Sequence, residues 1–205
     1  TAINALGPCV SAGQQDALLA TLNELTKEDY VLISGSFCQG VTAELVEKIG
    51  EQVLKAGARL ITDIPNLKIA NYRKIKPYLI KPNLEELAMI FQNDVNEDNY
   101  PDYAEELIEA GVENVLVSLG RDGAYFANQH KRYQLFGPAV EVINTVGCGD
   151  SMLACTVASL ARHEELTEAL KYGEAAGRAK AKTRGLPSAE DVKQLYEKIE
   201  IREVE

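Results

Sequence analysis

The chain has 205 residues, of which 46% are hydrophobic and 25% are charged, a composition typical of a globular domain large enough to fold alone. Its formal net charge is -10 and no basic segment stands out, which argues against nucleic-acid binding. No apolar run reaches the length of a membrane span. The four cysteines form no C-x-x-C pair and no cluster with the two histidines, a pattern that favours free thiols in a reducing cytoplasm over a zinc site.

Short apolar segments alternate with amphipathic segments in the first part of the chain. The short segments predict buried parallel strands at Tyr30–Ile33, Arg59–Thr62, Tyr78–Ile80 and Val115–Ser118. Apolar residues three and four positions apart predict helices with one apolar face, formed by Leu18, Leu19, Leu22 and Leu25, by Leu45, Val46, Ile49 and Val53, and by Leu84, Leu87, Ile90 and Phe91. This alternation predicts the α/β class with a mostly parallel sheet.

The pattern changes after Gly120. Two antiparallel strands are predicted at Ala124–Ala127 and Arg132–Phe136, joined by the polar residues 128–131. One helix is predicted from Gly147 to about Ala161, a second from about Thr167 to Lys182, and a third from Ser188, with Ser188 as N-cap and Asp191 three residues later. No repeat, linker or low-complexity tract interrupts the chain, so residues 1–205 are predicted to form a single α/β domain.

The segment N-T-V-G-C-G-D-S-M-L-A, residues 144–154, places two glycines immediately before a predicted helix. Glycines allow close approach of the backbone, and the first N–H groups of a helix have no partner within it. Together with the helix dipole these groups predict an anion site. Asp150 at this site could accept the proton of an attacking hydroxyl, or it could be an acidic residue that merely suits a helix N-terminus.

This segment resembles the second signature of the PfkB (ribokinase-like) family of sugar kinases, whose core is Gly-Ala-Gly-Asp, and its flanks are similar to the 1-phosphofructokinase version. Three more segments match in the right order. Ser34-Gly-Ser36 with Gly40 resembles S-G-S-L-P-x-G, Lys81–Leu87 resembles K-P-N-x-x-E-L, and Ser118–Ala124 resembles S-L-G-x-x-G-A. Asn4-x-x-Gly7-Pro8 and Gly185-Leu-Pro187 also fit, so the resemblance covers essentially the whole chain.

The resemblance implies a role for each matching residue. Asp150 is expected to be the catalytic base, and the N–H groups of Gly147, Cys148 and Gly149 to form an anion hole for the γ-phosphoryl group. Asn83 and Glu86 match the N-x-x-E element that organises Mg²⁺ near the ATP phosphates. The nucleotide is expected beside Ser118, Leu119, Gly120, Arg121, Asp122 and Gly123, with Gly149 and Asn83 also binding it.

Each of these roles has a plainer alternative. Asn83 and Glu86 could form a capping box at a helix start, and both roles could hold at once. The glycines of residues 118–123 could serve an ordinary strand-to-hairpin turn. Ser34 and Ser36 follow a predicted strand at its carboxyl end and are candidates for the sugar phosphate, or they serve only a turn. Lys81 could reach the same region, or it could be a solvated lysine.

The fold implied by the resemblance is a ribokinase-like three-layer sandwich, here lacking the N-terminal part and lid. The chain is expected to be the ATP-binding, catalytic portion of a longer cytoplasmic kinase that forms a homodimer, with a small sugar phosphate as partner and neither nucleic acid nor membrane. The implied reaction is the Mg²⁺- and ATP-dependent conversion of fructose 1-phosphate to fructose 1,6-bisphosphate. The alternatives are a tagatose-6-phosphate kinase or a non-catalytic relative that binds nucleotide or sugar phosphate.

The sequence departs from the family pattern at several positions. Cys148 stands where the family usually has Ala, and a thiol near a helix N-terminus is either reactive or buried and inert. Asp63-Ile-Pro-Asn66 replaces D-T-S-G beside the expected substrate cleft. Asn144 stands where some relatives use Asp for a monovalent cation, so the sequence leaves dependence on such a cation open.

Overall fold

The computed structural model describes residues 7–65 and 67–204, so Asn4 and Asn66 lie outside the described residues. The chain forms two compact units, residues 1–115 and 116–205. The prediction of one domain over residues 1–205 stays a prediction. None of the helices in the described part of the chain has the length and hydropathy needed to cross a bilayer.

Parallel strands organise the first unit. They are β1 (Tyr30–Ser34), β2 (Arg59–Asp63), β3 (Leu79–Ile80) and β4 (Asn114–Ser118), the last of which runs across the unit boundary. Each pairs in parallel with the next: Ser34 lies opposite Asp63, Thr62 opposite Ile80, and Ile80 opposite Val115. The predicted parallel strands are therefore confirmed, and the carboxyl ends of β1, β2 and β3 meet at one edge of the sheet.

The described residues of this unit form the α-helices α1 (Ala12–Thr21), α2 (Ala43–Ala56), α3 (Ile69–Ile75), α4 (Leu84–Phe91) and α5 (Tyr100–Glu109). The apolar face predicted for α2 is buried, and α2 ends at Gly57, whose φ of 71° suits glycine. The centre of the core is built by the fully buried residues Leu60, Ile61, Leu67, Ile75, Leu79, Ile80, Leu87 and Leu107.

Two predictions about burial in this unit are wrong. Strand β1 is not buried, because Leu32 is 48% exposed and its neighbours are only half-buried. The reason is that β1 comes first in the sheet and pairs with β2 alone among the described strands. Helix α1 forms, yet it buries none of its residues, and Leu18 is exposed. The apolar face predicted there therefore faces no core in the described structure.

The second unit continues with antiparallel strands. The predicted hairpin is confirmed as β5 (Ala124–Asn128) and β6 (Arg132–Phe136), with Tyr125 opposite Gln134. Strand β7 (Glu200–Glu203) pairs antiparallel with β6 and was not predicted. Its sequence is mostly charged, so it lacks the apolar alternation that indicates a strand. Within this unit the strand order follows chain order, from β5 to β7.

Helices α6 (Cys148–Ala161), α7 (Leu166–Ala181) and α8 (Ala189–Tyr196) form where the sequence predicts them. Glycines on α7 let α6 approach closely: a Cβ at Gly173 would collide with the Thr156 hydroxyl, and one at Gly177 would lie 3.3 Å from the Cys148 carbonyl oxygen. The alanines of α7 pack against α8. Helix α7 therefore supports the beginning of α6, where the sequence predicts the chemistry.

Candidate active site

The first turn of α6 is fixed by the segment before it. Gly147 is the N-cap and has a φ of 84°, a left-handed conformation that favours glycine. The Asn144 side-chain oxygen accepts a hydrogen bond from the Val146 N–H at 3.0 Å, and the Asn144 N–H donates to the Ala181 carbonyl at 3.1 Å. The turn is thus held against the end of α7, and it delivers Asp150 into the first turn of α6.

In the predicted anion hole, two of the three backbone N–H groups have no hydrogen-bond acceptor among the described residues. The Cys148 N–H donates to the Thr145 carbonyl at 3.2 Å, so an anion would have to compete for it. The N–H groups of Gly147 and Gly149 meet no acceptor within the described residues. Because the dipole of α6 adds positive potential at this end, the arrangement suits a phosphate oxygen.

The Cys148 thiol is half-buried at the same helix start. Burial raises the pKa of this thiol above its ordinary value, and the Asp150 carboxylate adds to the rise, while the Lys180 ammonium acts in the opposite direction. The Cys148 sulfur lies 3.7 Å from the Asn144 carbonyl. Of the two alternatives for this residue, the structure favours the inert thiol, because a raised pKa lowers the thiolate fraction.

A buried lysine that the sequence reasoning missed lies beside this turn. Lys180 on α7 is 4% exposed, and its Nζ donates to the Thr183 carbonyl at 3.2 Å. Its Cε lies 3.5 Å from the position that a Cβ on Gly147 would take. A lysine near the end of an amphipathic helix is normally solvated, so nothing in the sequence marks it as buried.

The predicted nucleotide segment, residues 118–123, joins β4 to β5 through a tight turn. The Leu119 N–H donates to the Gly123 carbonyl at 2.9 Å. Gly123 has a φ of 100°, and a Cβ there would collide with the Leu135 carbonyl, so the hairpin itself explains this glycine. Gly120 also has a positive φ but open space around it, and Arg121 is exposed. The strand-to-hairpin alternative is confirmed, and nucleotide contact at Gly120 and Arg121 stays a prediction.

Arg178 on α7 forms hydrogen bonds that hold the backbone of this turn. Its guanidinium donates to the carbonyls of Arg121 at 3.2 Å and Pro138 at 3.0 Å, and it forms an ion pair with Glu174 at 2.6 Å. Both side chains are buried, and burial raises the pKa of the Glu174 carboxyl. One buried charged pair on α7 therefore fixes the backbone of the predicted nucleotide turn, a role that spacing in the sequence does not reveal.

In the first unit, Asn83 and Glu86 form the capping box that was the alternative to their metal role. The Asn83 side-chain oxygen accepts from the Glu86 N–H at 2.8 Å, and Glu86 Oε2 accepts from the Asn83 N–H at 2.9 Å. The box occupies one carboxylate oxygen and leaves Glu86 Oε1 for another partner. Mg²⁺ prefers hard oxygen ligands and retains water, so this half-buried carboxylate fits the predicted ion.

Lys81 follows β3 and is buried. Its Nζ lies 3.3 Å from Asp63 Oδ1, and the two side chains are only 6% and 11% exposed. The alternative of a solvated lysine is therefore wrong. A small pocket beside this pair is also lined by Tyr72 and Glu86, and burial raises the pKa of the Tyr72 phenol, which stays protonated. Asp63 was not predicted as a site residue, although its position at the end of β2 marks it as a candidate.

Ser34 and Ser36 are exposed at the end of β1. The intervening Gly35 has a φ of 92°, and its N–H donates to the Asp63 carbonyl at 3.1 Å. The segment is therefore a turn that also leaves both hydroxyls accessible. Ser34, Asp63 and Lys81 come together at the carboxyl ends of adjacent strands, where open α/β sheets bind ligands.

Comparisons with known proteins agree with this fold and these motifs. Residues 1–192 match the model of the pfkB family carbohydrate kinases. The chain is 32% identical to 1-phosphofructokinase of Bacillus subtilis over 98% of this chain and 67% of the relative. It is 30% identical to D-tagatose-1-phosphate kinase of Bacillus licheniformis over 95% and 65%. The potassium complex of phosphofructokinase-2 from Escherichia coli superimposes with a TM-score of 0.86 at 28% identity, covering 95% of this chain and 64% of that one.

The α/β fold, the ordered motifs and these matches define a ribokinase-like sugar kinase, a phosphotransferase that acts on an alcohol group. The chain belongs to the pfkB family of carbohydrate kinases. It spans about two thirds of the length of the relatives that it matches. The family and fold predicted from the sequence are confirmed.

Proposed function

We propose that the protein containing this chain transfers the γ-phosphoryl group of ATP to fructose 1-phosphate and gives fructose 1,6-bisphosphate and ADP. One observation carries the proposal. Asp150 lies in the first turn of α6, one residue after Gly149 and beside N–H groups that have no acceptor among the described residues. A base next to an anion hole is the arrangement that hydroxyl phosphorylation requires.

Asp150 accepts the proton of the attacking sugar hydroxyl in this mechanism. The hydroxyl oxygen forms a bond to the γ-phosphorus, and the bond from that phosphorus to the β–γ bridging oxygen breaks, so that ADP leaves with the bonding pair. The Gly147 and Gly149 N–H groups, with the Cys148 N–H, hold the charge on the oxygens of the moving phosphoryl group. Phosphoryl transfer depends mainly on positioning and electrostatic stabilisation. The N–H groups at the start of α6 contribute the electrostatic part.

Mg²⁺ and ATP are the cofactors proposed for this reaction. Glu86 Oε1, beside Asn83 at the start of α4, would hold the ion directly or through water, and the ion would offset charge on the ATP phosphates. Gly120, Arg121 and Asp122, with Ser118, Leu119 and Gly123, would lie against the nucleotide. Ser34, Ser36 and Lys81 are proposed to face the sugar phosphate. A homodimer of the full-length protein and a cytoplasmic location stay predictions.

A tagatose phosphate is the second candidate substrate. It is supported by the relative named D-tagatose-1-phosphate kinase, whose identity to this chain is almost equal to that of the 1-phosphofructokinase. The sequence also resembles tagatose-6-phosphate kinases. Release of ADP by the intact gene product with Mg-ATP should be compared for fructose 1-phosphate, tagatose 1-phosphate and tagatose 6-phosphate. The sugar with the highest kcat/KM identifies the substrate.

Asp150→Asn tests the catalytic base. We expect kcat to fall by about 10² to 10⁴, the range typical of a lost general base, while ATP binding measured by calorimetry remains. Asp102→Asn is the matched control, because Asp102 is an exposed aspartate in the first turn of α5. Near-normal turnover in Asp150→Asn would rule out the proposed base. ATP binding without turnover of any sugar by the unmodified protein would indicate the non-catalytic alternative instead.

A further inference from the structure

Lys180 differs from the other buried cations of the described structure. Three basic side chains are buried in residues 7–65 and 67–204, namely Lys81, Arg178 and Lys180. Lys81 pairs with Asp63, and Arg178 pairs with Glu174. Lys180 forms no ion pair with any described residue, and the Thr183 carbonyl is its hydrogen-bond acceptor there. An ammonium has three N–H donors, so two of them have no partner within these residues.

Such a charge is expensive to bury unless something compensates it. An unpaired ammonium loses its hydration when it leaves water, and proteins normally pair it or deprotonate it. A carbonyl hydrogen bond at the C-terminal end of α7 compensates part of this cost, because the helix dipole is negative there. One carbonyl does not satisfy three donors. The two ammonium N–H donors that remain could be satisfied by an anion that binds during the reaction.

Lys180 lies close to the groups at the start of α6 that are proposed to bind the phosphoryl group. Its Cε lies 3.5 Å from the Cβ position of Gly147, and the same position is 3.8 Å from Asp150 Oδ2. The Lys180 Cε therefore lies within about 7.3 Å of that carboxylate oxygen, the sum of the two distances, and the ammonium nitrogen is one bond further along the side chain. The Lys180 ammonium also lowers the pKa of the Cys148 thiol, against the larger rise that burial causes. All of these groups belong to the second unit and surround the start of α6.

The overall charge of the chain makes a local cation important. With a net charge of -10, the chain tends to repel the phosphates of a nucleotide. The open N–H groups at Gly147 and Gly149 are partial charges, and the nearby Asp150 carboxylate opposes an incoming anion. The full positive charge of Lys180, beside Gly147, would offset that repulsion.

We propose that Lys180 supplies the fixed positive charge of the anion site at the start of α6, so that it stabilises the phosphoryl group during transfer. This inference rests on the proposed function. It adds to it a residue that lies about 30 positions after the signature segment, on a different helix. The competing explanation is that Lys180 only closes the end of α7 through the Thr183 carbonyl.

Lys180→Gln separates the two explanations, because glutamine keeps a donor for Thr183 but removes the charge. Lys182→Gln is the control, since Lys182 is an exposed lysine in the same turn. In the intact gene product with Mg-ATP and fructose 1-phosphate, we expect kcat of Lys180→Gln to fall at least about tenfold, by analogy with the loss of one oxyanion-hole donor. Lys182→Gln should keep kcat within about twofold.

A second readout needs neither ATP nor sugar. Loss of the Lys180 charge should slow alkylation of Cys148 by iodoacetamide about three- to tenfold at pH 8, because the thiolate becomes less favoured. Peptide mass spectrometry resolves Cys148 from the other cysteines. Lys180→Met, which also removes the charge, serves in both assays if Lys180→Gln does not fold, as judged by circular dichroism.

The inference stands only if kcat falls and Cys148 alkylation slows together in the Lys180 variant. A fall in kcat with unchanged alkylation would show a structural role and overturn it. Slower alkylation with normal kcat would overturn it as well, because the charge would then not serve the reaction. Loss of activity in Asp150→Asn with normal activity in Lys180→Gln refutes this inference alone. Normal activity in Asp150→Asn refutes the proposed base instead.

Discussion

Cys148 experiences opposing influences at the start of α6. A helix N-terminus and the Lys180 ammonium favour the thiolate, whereas burial and the Asp150 carboxylate disfavour it. Burial is the largest of these effects on the pKa of the thiol, so the net direction is upward. We therefore expect Cys148 to react poorly at neutral pH, with a side chain small enough to stand where the family usually has alanine.

Alkylation rates test this balance at a single residue. At about pH 7.5, iodoacetamide should modify Cys148 at least about tenfold more slowly than Cys9, which is exposed, because the raised pKa of Cys148 leaves little thiolate and the site is half-buried. The rate at Cys148 should increase as the pH rises toward 10. Peptide mass spectrometry of the native protein gives both rates in one sample. A Cys148 that reacts as fast as Cys9 would contradict the inert thiol.

The sequence did not establish that two lysines are buried, and both cases have the same physical cause. Spacing predicts which residues lie on one face of a helix, but it does not predict how deeply a long basic side chain is buried. The sequence left Lys81 open between a substrate-site residue and a solvated lysine and did not single out Lys180, and both are buried in the structure. The placement of Asp150 and the glycines at the start of α6 could be predicted, because it depends on a turn that the local sequence specifies.

At the scale of elements, the start of α4 carries two tasks on the same pair of residues. The capping box of Asn83 and Glu86 satisfies N–H groups at the start of the helix, and the same carboxylate is proposed to organise Mg²⁺. The two tasks are compatible because the box uses only one carboxylate oxygen. The local sequence therefore predicts the cap, and the metal role stays a prediction.

Two substitutions of Asn83 separate the tasks. Asn83→Ser keeps a side-chain oxygen for the Glu86 N–H and should change the free energy of unfolding by only a few tenths of a kcal/mol, whereas Asn83→Ala should cost about 1 kcal/mol. If Asn83 also serves the nucleotide and its ion, both variants should lose at least about tenfold in kcat/KM for Mg-ATP. Urea unfolding and ADP release give the two quantities. An Asn83→Ser variant with unchanged kcat/KM would restrict Asn83 to the cap.

At the scale of the whole chain, alternation of apolar segments was enough to predict the class and the parallel strands β1 to β4. The glycines before α6 and the capping residues of α8 indicated where those helices begin. It was not enough for β7, whose pairing with β6 is decided by contacts between distant segments. It also misjudged burial at β1 and α1, because burial depends on what covers an element. Local sequence patterns therefore predict helices and strands better than they predict strand pairing and burial.

Carboxylates across the chain determine how its stability should depend on pH. Hydrogen bonds or ion pairs lower the pKa of five surface carboxyls, Asp29, Glu44, Glu47, Glu164 and Asp191. Below about pH 4.5, the ordinary value for glutamate, these groups stay ionised in the folded state while the unfolded state takes up protons. Burial raises the pKa of the Glu113 and Glu174 carboxyls. These two groups therefore change the pH dependence of stability above about pH 4.5 and not below it.

We therefore expect the midpoint of thermal unfolding to fall steadily as the pH is lowered from about 4.5 to about 3. Asp191 offers a matched test, because its pKa is lowered mainly by the Ser188 hydroxyl and N–H in the cap of α8. Asp191→Asn should have a lower midpoint than the unmodified chain at neutral pH and a smaller fall between about pH 4.5 and 3, since the group that gains a proton is gone. Scanning calorimetry at matched ionic strength measures both. An equal fall in the two proteins would show that the Ser188 contacts do not contribute to the acid sensitivity.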